Sequence, residues 1–285
     1  MSAGAQNGQS PYGLIAGNGH FPLLVLAAAR ERGERMVVAA IKEETWPEIE
    51  KSGAEVHWLS LGQLGRLIDL FHQHGVSRAI MAGQVQHKQI FSSLRPDWRM
   101  VKLLASLAVK NTDSLLGAVV RTLAEEGIVI EDSRRFLEPL LAGAGALTPR
   151  APDAEELSEI QYGWRLARLI AGADIGQTVV IAGGACVAVE AMEGTDAAIR
   201  RAAKLAQGKR LTVVKVARPQ QDVRFDVPVI GPETIRTMAE CQASALAVES
   251  GLTLLLERER LLAEAAARQI AIFGRGGDDR DGSHE

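Results

Sequence analysis

The chain has 285 residues, of which 47% are hydrophobic, 24% charged and only 4% aromatic, with a formal net charge of -3. That length exceeds the usual single domain, so two domains are expected, each packed mainly by Ala, Leu, Val and Ile. A slightly acidic chain has no long-range attraction for a polyanion, which excludes wholesale nucleic-acid binding and leaves room only for a local basic patch around phosphates.

Met1 to Pro11 is rich in Gly, Ser, Gln and Asn and lacks the basic and apolar regions of a signal peptide. No segment reaches the roughly 18 uninterrupted apolar residues of a membrane span, so a cytoplasmic protein is expected. Tyr12 to Ala16 reads as a short strand that breaks into Gly17-Asn-Gly-His-Phe-Pro22 and then an Ala- and Leu-rich helix to about Arg32. Met36 to Ile41 repeats the strand signal, and Gly62 to His74 is amphipathic. Ala79 to Ala82 is a further strand, running into the polar turn Gly83 to His87. Trp98 to Glu126 is mostly helical with a polar break at Lys110 to Ser114, and Gly127 to Glu131 is another β-branched run. This alternation predicts an α/β fold whose N-terminal domain, residues 1–143, is a Rossmann-like parallel sheet flanked by helices.

Gly143 to Pro152 combines small residues with two prolines, which predicts a linker over 144–152. The distinct C-terminal α/β domain then covers 153–285. It opens with Asp153 as cap and Glu156 as first-turn acid of a helix from Ala154 to Ala171. Gln177 to Ala182 is a strand, Gly183-Gly184 a hairpin turn, and Ala185 to Ala191 the returning strand. Glu193-Gly-Thr-Asp196 is expected to cap a helix from Ala197 to Gln207, followed by a strand Leu211 to Val216 and a polar loop Arg218 to Asp226. Helices over Glu233 to Glu249 and Glu259 to Ala267, with a strand Leu252 to Leu256 between them, complete the domain, and Gly274 to Glu285 reads as a frayed tail. Cys186 and Cys241 have no metal-ligand spacing and read as reduced, small apolar fillers.

Three groups of residues carry chemistry. The first glycine turn, with Gly17, Asn18 and Gly19, places bare N–H groups at a helix N-terminus, which suits a phosphate. It lacks the third glycine of a dinucleotide fingerprint and the lysine of a P-loop, so a tight βα turn without ligand fits equally. In the second group, Glu190, Glu193 and Asp196 surround one strand-to-helix junction, and Asp222 and Asp226 lie in a proline-flanked loop. Such oxygens suit a hard cation, and helix-capping or turn roles are the alternative. Lys215, Arg218 and Arg224 alternate with these acids, the mixture that phosphoryl chemistry uses. Gln84, His87 and Lys88 follow a strand end, and Lys110 and Asp113 form the third, weaker group. No nucleophile elbow is present, which argues against acyl transfer.

In order and spacing, Gly13 to Pro22, Ala82-Gly-Gln-Val85, Asp174-Ile-Gly-Gln177, Val189 to Ala197 and Arg218 to Gly231 resemble the LpxI family of UDP-2,3-diacylglucosamine pyrophosphatases, over about residues 12 to 273. The resemblance implies a Mg2+- or Mn2+-dependent hydrolysis of UDP-2,3-diacylglucosamine to UMP and 2,3-diacylglucosamine 1-phosphate in lipid A synthesis. It also implies two domains with the lipid held between them, a homodimer, and peripheral contact with the cytoplasmic face of the inner membrane. Asp226 matches the family's essential aspartate and is the first candidate metal ligand or water-orienting group; Asp222 and Glu193 follow, with Lys215 and Arg224 as phosphate contacts. The matching segments assign substrate contacts to Gly17, Asn18, Gly19, Gly83, Gln84, Lys110, Asp113, Gln177, Glu190, Thr195, Asp196 and Gln221. One departure is Lys110-Asn-Thr-Asp113, where relatives commonly have Lys-Gly-Asp-Asp. In-line attack of metal-associated water on one phosphorus is the expected chemistry, because no activated nucleophile is evident. A UDP-sugar glycosyltransferase or nucleotidyltransferase, or a non-catalytic nucleotide-lipid carrier, remains open as an alternative.

Overall fold

Tyr12–Ala16 (β1), Met36–Ile41 (β2), Glu55–Leu59 (β3), Arg78–Ala82 (β4) and Val129–Ile130 (β5) form one parallel sheet in the order β3-β2-β1-β4-β5. The computed structural model describes residues 10–84, 96–107, 112–219 and 222–276. The inner strands are buried on both faces, as a parallel sheet demands, so they read as continuous apolar runs. Helices Phe21–Glu31 (α1), Leu64–Gln73 (α2), Trp98–Ser106 (α3) and Thr112–Glu125 (α4) cover the sheet. Leu64, Leu67, Ile68 and Phe71 recur at helical spacing along α2 and meet Leu115, Val119, Val120 and Leu123 of α4 in one core. Asp97 starts α3 by accepting from Met100 N at 2.9 Å, and also accepts from Gly65 N at 2.6 Å.

The chain divides into two compact units: the first runs to Leu137 and includes Val223–Phe225, and the second contains Glu138–Asp222 and the chain from Asp226 onward. Ser133 fixes the returning segment in the first unit. Its N–H donates to Val223 O at 3.1 Å, and its Oγ lies 2.6 Å from Arg224 O and 2.7 Å from Met81 O. Phe225 packs against the core of that unit.

In the second unit Gly145–Ala146 (β6), Thr178–Ala182 (β7), Ala185–Val189 (β8), Leu211–Lys215 (β9), Ala243–Glu249 (β11) and Ala271–Arg275 (β13) form a six-stranded mixed sheet in the order β6-β13-β11-β9-β7-β8. A separate two-residue pair joins Val229–Ile230 (β10) and Leu254–Leu255 (β12). Ala154–Gly172 (α5) packs on one face of the large sheet through Ile160, Trp164 and Ala167. The opposite face packs against Thr195–Leu205 (α6), Pro232–Glu240 (α7) and Arg258–Ala267 (α8) through Ile199, Ile235, Met238, Leu261 and Ala265. Asp153 and Glu156 form a full capping box at the start of α5. Gly183 and Gly184 both have positive φ, 57° and 76°, which gives the β7-β8 hairpin the turn whose twist matches its strands. Of residues 143–152, Gly145–Ala146 pair with β13, Thr148 Oγ1 accepts from Ile272 N at 2.9 Å, and Arg150 clasps Glu156 at 2.6 Å.

Four expectations are corrected. The helix expected over Glu233 to Glu249 ends at Glu240; the chain turns at Gln242 (φ 58°), and Ala243–Glu249 is a buried strand between β9 and β13. Its alanines favour helix locally, but burial on both faces of a sheet overrides that preference. The strand expected over Leu252 to Leu256 shrinks to Leu254–Leu255. The tail expected from Gly274 begins later, because Gly274 and Arg275 belong to β13, where a Cβ on Gly274 would collide with Gly143 O. Glu193-Gly-Thr-Asp196 supplies no side-chain cap: Gly194 occupies the cap position at φ 86°, and α6 begins at Thr195. Strand β3 at the sheet edge was not anticipated either.

Candidate functional site

Alternation along β9 explains how a lysine enters the second unit's interior. Leu211 and Val213 join the core facing α6 to α8, whereas Val214 and Val216 join the core facing α5. Lys215 lies two residues beyond Val213, so it belongs to the α6 face at the carboxyl end of its strand, and it is buried. Its antiparallel partner is Thr178, the first residue of β7, and Glu190 follows the last residue of β8. Three strand ends and the N-terminus of α6 therefore meet.

They meet through a chain of hydrogen bonds. Lys215 Nζ donates to Thr195 Oγ1 at 2.8 Å, and the Thr195 hydroxyl donates to Glu190 Oε1 at 2.9 Å. Thr178 Oγ1 lies 3.3 Å from Thr195 Oγ1. Since the Thr195 hydrogen is committed to Glu190, Thr178 is the donor in that contact. Gln177 N donates to Glu190 Oε2 at 3.4 Å, while Gln177 Oε1 is buried and has no hydrogen-bond partner among the described residues. Asp196 accepts from Thr234 Oγ1 at 2.8 Å.

Burial pushes the Lys215 ammonium below its ordinary pKa, and the carboxylates of Glu190, Asp196 and Asp226 oppose that shift. Asp226 is half-buried; its N–H donates to Asp222 O at 2.9 Å, and its Oδ2 lies 3.8 Å from Arg218 Nη2. Arg218 also pairs with Asp174 at 2.8 Å. Behind Lys215, Glu249 accepts from Ala217 N at 2.8 Å and from Arg168 Nη2 at 2.7 Å, which holds the start of the Arg218 to Asp226 loop.

The structure thus brings together Lys215, Thr195, Glu190, Gln177, Asp196 and Asp226. Glu193 points elsewhere, into an ion pair with Arg201 at 2.5 Å on the surface, and also accepts from Ala191 N at 2.9 Å. Arg224 lies in the segment that belongs to the first unit. Lys110, Gln221, His87 and Lys88, and the side chain of Asp113, lie outside the described residues. Thr178, Thr234 and Glu249 escaped sequence reasoning, because only strand register puts them beside the charged group; a threonine opening a β-branched strand carries no local signal.

In the first unit, strand order reverses direction between β1 and β4, the switch point where open α/β sheets bind ligands. Gly17, Asn18, Gly83 and Gln84 sit there. The expectation of bare N–H groups is corrected in part: Gly17 N donates to Ala82 O at 2.8 Å and Asn18 N to Gln84 O at 2.8 Å, so both are used within the fold. The two turns lie so close that a Cβ on Gly17 would come within 2.7 Å of Gln84 O and one on Gly83 within 2.6 Å of Asn18 O. Asn18 Nδ2 reaches the buried Glu44 at 3.5 Å.

A Rossmann-type parallel-sheet unit, and a mixed-sheet unit with a buried lysine among carboxylates at its strand ends, define a two-unit α/β protein. Residues 11–140 match the LpxI N-terminal domain and residues 143–273 the LpxI C-terminal domain. The UDP-2,3-diacylglucosamine pyrophosphatase LpxI of Caulobacter vibrioides (strain ATCC 19089 / CIP 103742 / CB 15) is 32% identical over 280 residues, covering 94% of this chain and 98% of that protein. The chain belongs to the LpxI family.

Proposed function

We propose that this chain hydrolyses the pyrophosphate bond of UDP-2,3-diacylglucosamine, giving UMP and 2,3-diacylglucosamine 1-phosphate in lipid A synthesis. The supporting observation is the buried Lys215-Thr195-Glu190 chain, with Asp196 and Asp226 close enough to act on the lysine charge, in a member of the LpxI family. A desolvated cation stabilises the charge that grows on a departing phosphate far more than an exposed one does. Thr195 orients the ammonium, and Glu190 orients Thr195.

A divalent cation, Mg2+ or Mn2+, fits the donors present. Asp226 and Asp222 offer hard carboxylate oxygens, and Gln177 Oε1, buried without a hydrogen-bond partner among the described residues, is a further hard donor. Asp226, which lies beside Arg218, and Asp222 would hold the ion, and Glu193 would have to release Arg201 to join them. When bound, the ion neutralises phosphate oxygens and lowers the pKa of water. Attack comes from water, in line, on the phosphorus on the sugar side, with Arg224 as a phosphate contact. No helix among the described residues is long and apolar enough to cross a membrane. A homodimeric enzyme in peripheral contact with the cytoplasmic face of the inner membrane is part of this reading; the exposed Trp98 and Val101 of α3, 70% and 51% accessible, support an apolar surface contact and bear on neither the dimer nor the membrane face.

Incubation of the purified protein with UDP-2,3-diacylglucosamine and Mg2+ tests the reading by product analysis. UMP and the sugar phosphate are expected; intact ligand after long incubation would support a carrier, and a glycosylated product a transferase. In oxygen-18 water the label is expected in the sugar phosphate, and label in UMP would reverse the assignment of the attacked phosphorus. Asp226→Ala should keep the native circular dichroism spectrum and lose nearly all turnover; near-normal turnover removes Asp226 from the site.

A further inference from the structure

On the first unit, away from the β1/β4 switch point, Glu55 and His57 lie at i and i+2 of the edge strand β3 and so share one face. His74 joins them from the C-terminal end of α2. His74 Nε2 is 2.8 Å from Glu55 Oε1, His57 Nε2 is 3.1 Å from the same oxygen, and the two rings lie 5.0 Å apart. Among the described residues this is the one group of three or more His, Cys, Asp or Glu side chains whose ligand atoms all lie within 4.8 Å of one another.

We propose that Glu55, His57 and His74 form a binding site for a first-row transition-metal dication, with Zn2+ the best match, which ties the edge strand to the end of α2. The first argument is the tautomer. His74 Nδ1 lies 2.8 Å from Leu70 O, and a carbonyl can only accept, so Nδ1 carries the hydrogen. Nε2 therefore faces Glu55 Oε1 either as the N–H of an imidazolium, a hydrogen bond of ordinary length, or as the lone pair of a neutral ring, and a dication would displace that proton and take its place between nitrogen and carboxylate. A backbone carbonyl on the second ring nitrogen is also how metal-bound histidines are held in orientation.

The second argument is spacing. Zinc bonds of about 2.0–2.1 Å at angles of about 90–109° place neighbouring ligand atoms roughly 2.9–3.4 Å apart. The 3.1 Å His57-Glu55 separation falls at that spacing and the 2.8 Å His74-Glu55 separation lies just short of it, so metal binding needs only small side-chain rotations. Two imidazoles and one carboxylate favour zinc, nickel, cobalt or copper over magnesium, which prefers oxygen. Half of the Glu55 side chain is exposed, which leaves an open path for the ion and for water as a remaining ligand. The site lies on different residues from the proposed pyrophosphatase centre and serves a different class of metal.

The test is a Zn2+ titration of the full-length, metal-stripped protein by calorimetry, repeated with Co2+ by visible absorption, and a thermal melt with and without Zn2+. One tight equivalent is expected, with a raised melting temperature, cobalt bands of a nitrogen- and oxygen-ligated site, and no displacement by excess Mg2+. His57→Gln with His74→Gln should lose that equivalent, and Glu55→Gln should weaken it, while His72→Gln, a neighbouring histidine outside the cluster, should leave it unchanged. Exposed Glu55 makes its variant a safe reading should the double histidine variant fail to fold. Retention of the tight equivalent in Glu55→Gln and the double variant, displacement by Mg2+, or no tight zinc in the unaltered protein would overturn the proposal and leave an imidazole-carboxylate hydrogen-bonded cluster only. Turnover of UDP-2,3-diacylglucosamine with Mg2+ should be the same in all these variants, so the two proposals fail separately.

Discussion

Thr195 is the residue on which the second unit's charged group depends, since it accepts from Lys215 and donates to Glu190 with one hydroxyl. Thr195→Val keeps the shape and removes both bonds. It is expected to cost about 1–3 kcal/mol, because two buried polar groups lose their shared partner, and to reduce turnover in the same variant. Thr195→Ser, which restores the hydroxyl, should recover most of both; urea unfolding and turnover measured on the pair check this. Gly83 makes a different kind of demand. Its φ of 94° and the proximity of Asn18 O leave no room for a side chain, so Gly83→Ala should destabilise the first unit by at least about 1–3 kcal/mol, visible as faster amide exchange in β1 and β4.

At the scale of elements, the capping box of α5 makes stability depend on pH. Burial alone would raise the Glu156 pKa, but hydrogen bonds from Arg150, Ser244 and the backbone at the cap outweigh it and hold the carboxyl below the usual glutamate range. A depressed folded-state pKa contributes stability that is fully present above the unfolded value of about 4.3 and is lost as pH falls through the lower folded value. Glu156→Ala should therefore cost about 3–5 kcal/mol at neutral pH, and the difference from the unaltered protein should shrink in urea melts taken at progressively lower pH. Several elements were legible beforehand for local reasons: apolar runs bounded by glycine turns, the Gly183-Gly184 hairpin, and Asp153 ahead of α5. Ala243–Glu249 was not, because its identity as a strand comes from neighbours on both sides. Glu-Val-His-Trp-Leu of β3 was missed because an edge strand carries polar residues and weak alternation. Likewise the acids near Lys215 were visible in the sequence, but the register that brings Thr178 opposite Lys215 was not, and Glu193 could not be told from its neighbours until its partner Arg201 was located.

For the molecule as a whole, the division of the chain does not follow its linear order. The first unit includes Val223–Phe225, since Ser133 N–H and hydroxyl bond to Val223 O and Arg224 O and Phe225 packs on the core. A fragment ending at residue 143 should be less stable than the same unit in the full chain, and Phe225→Ala should lower the first unit's protection in amide exchange while leaving β9 and β11 little changed. Equal stability of fragment and full chain would mean that the three residues are passengers. Because a ribosome delivers the polypeptide from its amino end, some 85 further residues must be made after Leu137 before the last piece of the earlier unit emerges. The newborn first half therefore waits, incompletely closed, for most of the synthesis of the second, and a nascent-chain pulling assay should register its final compaction only after Phe225 has cleared the exit tunnel.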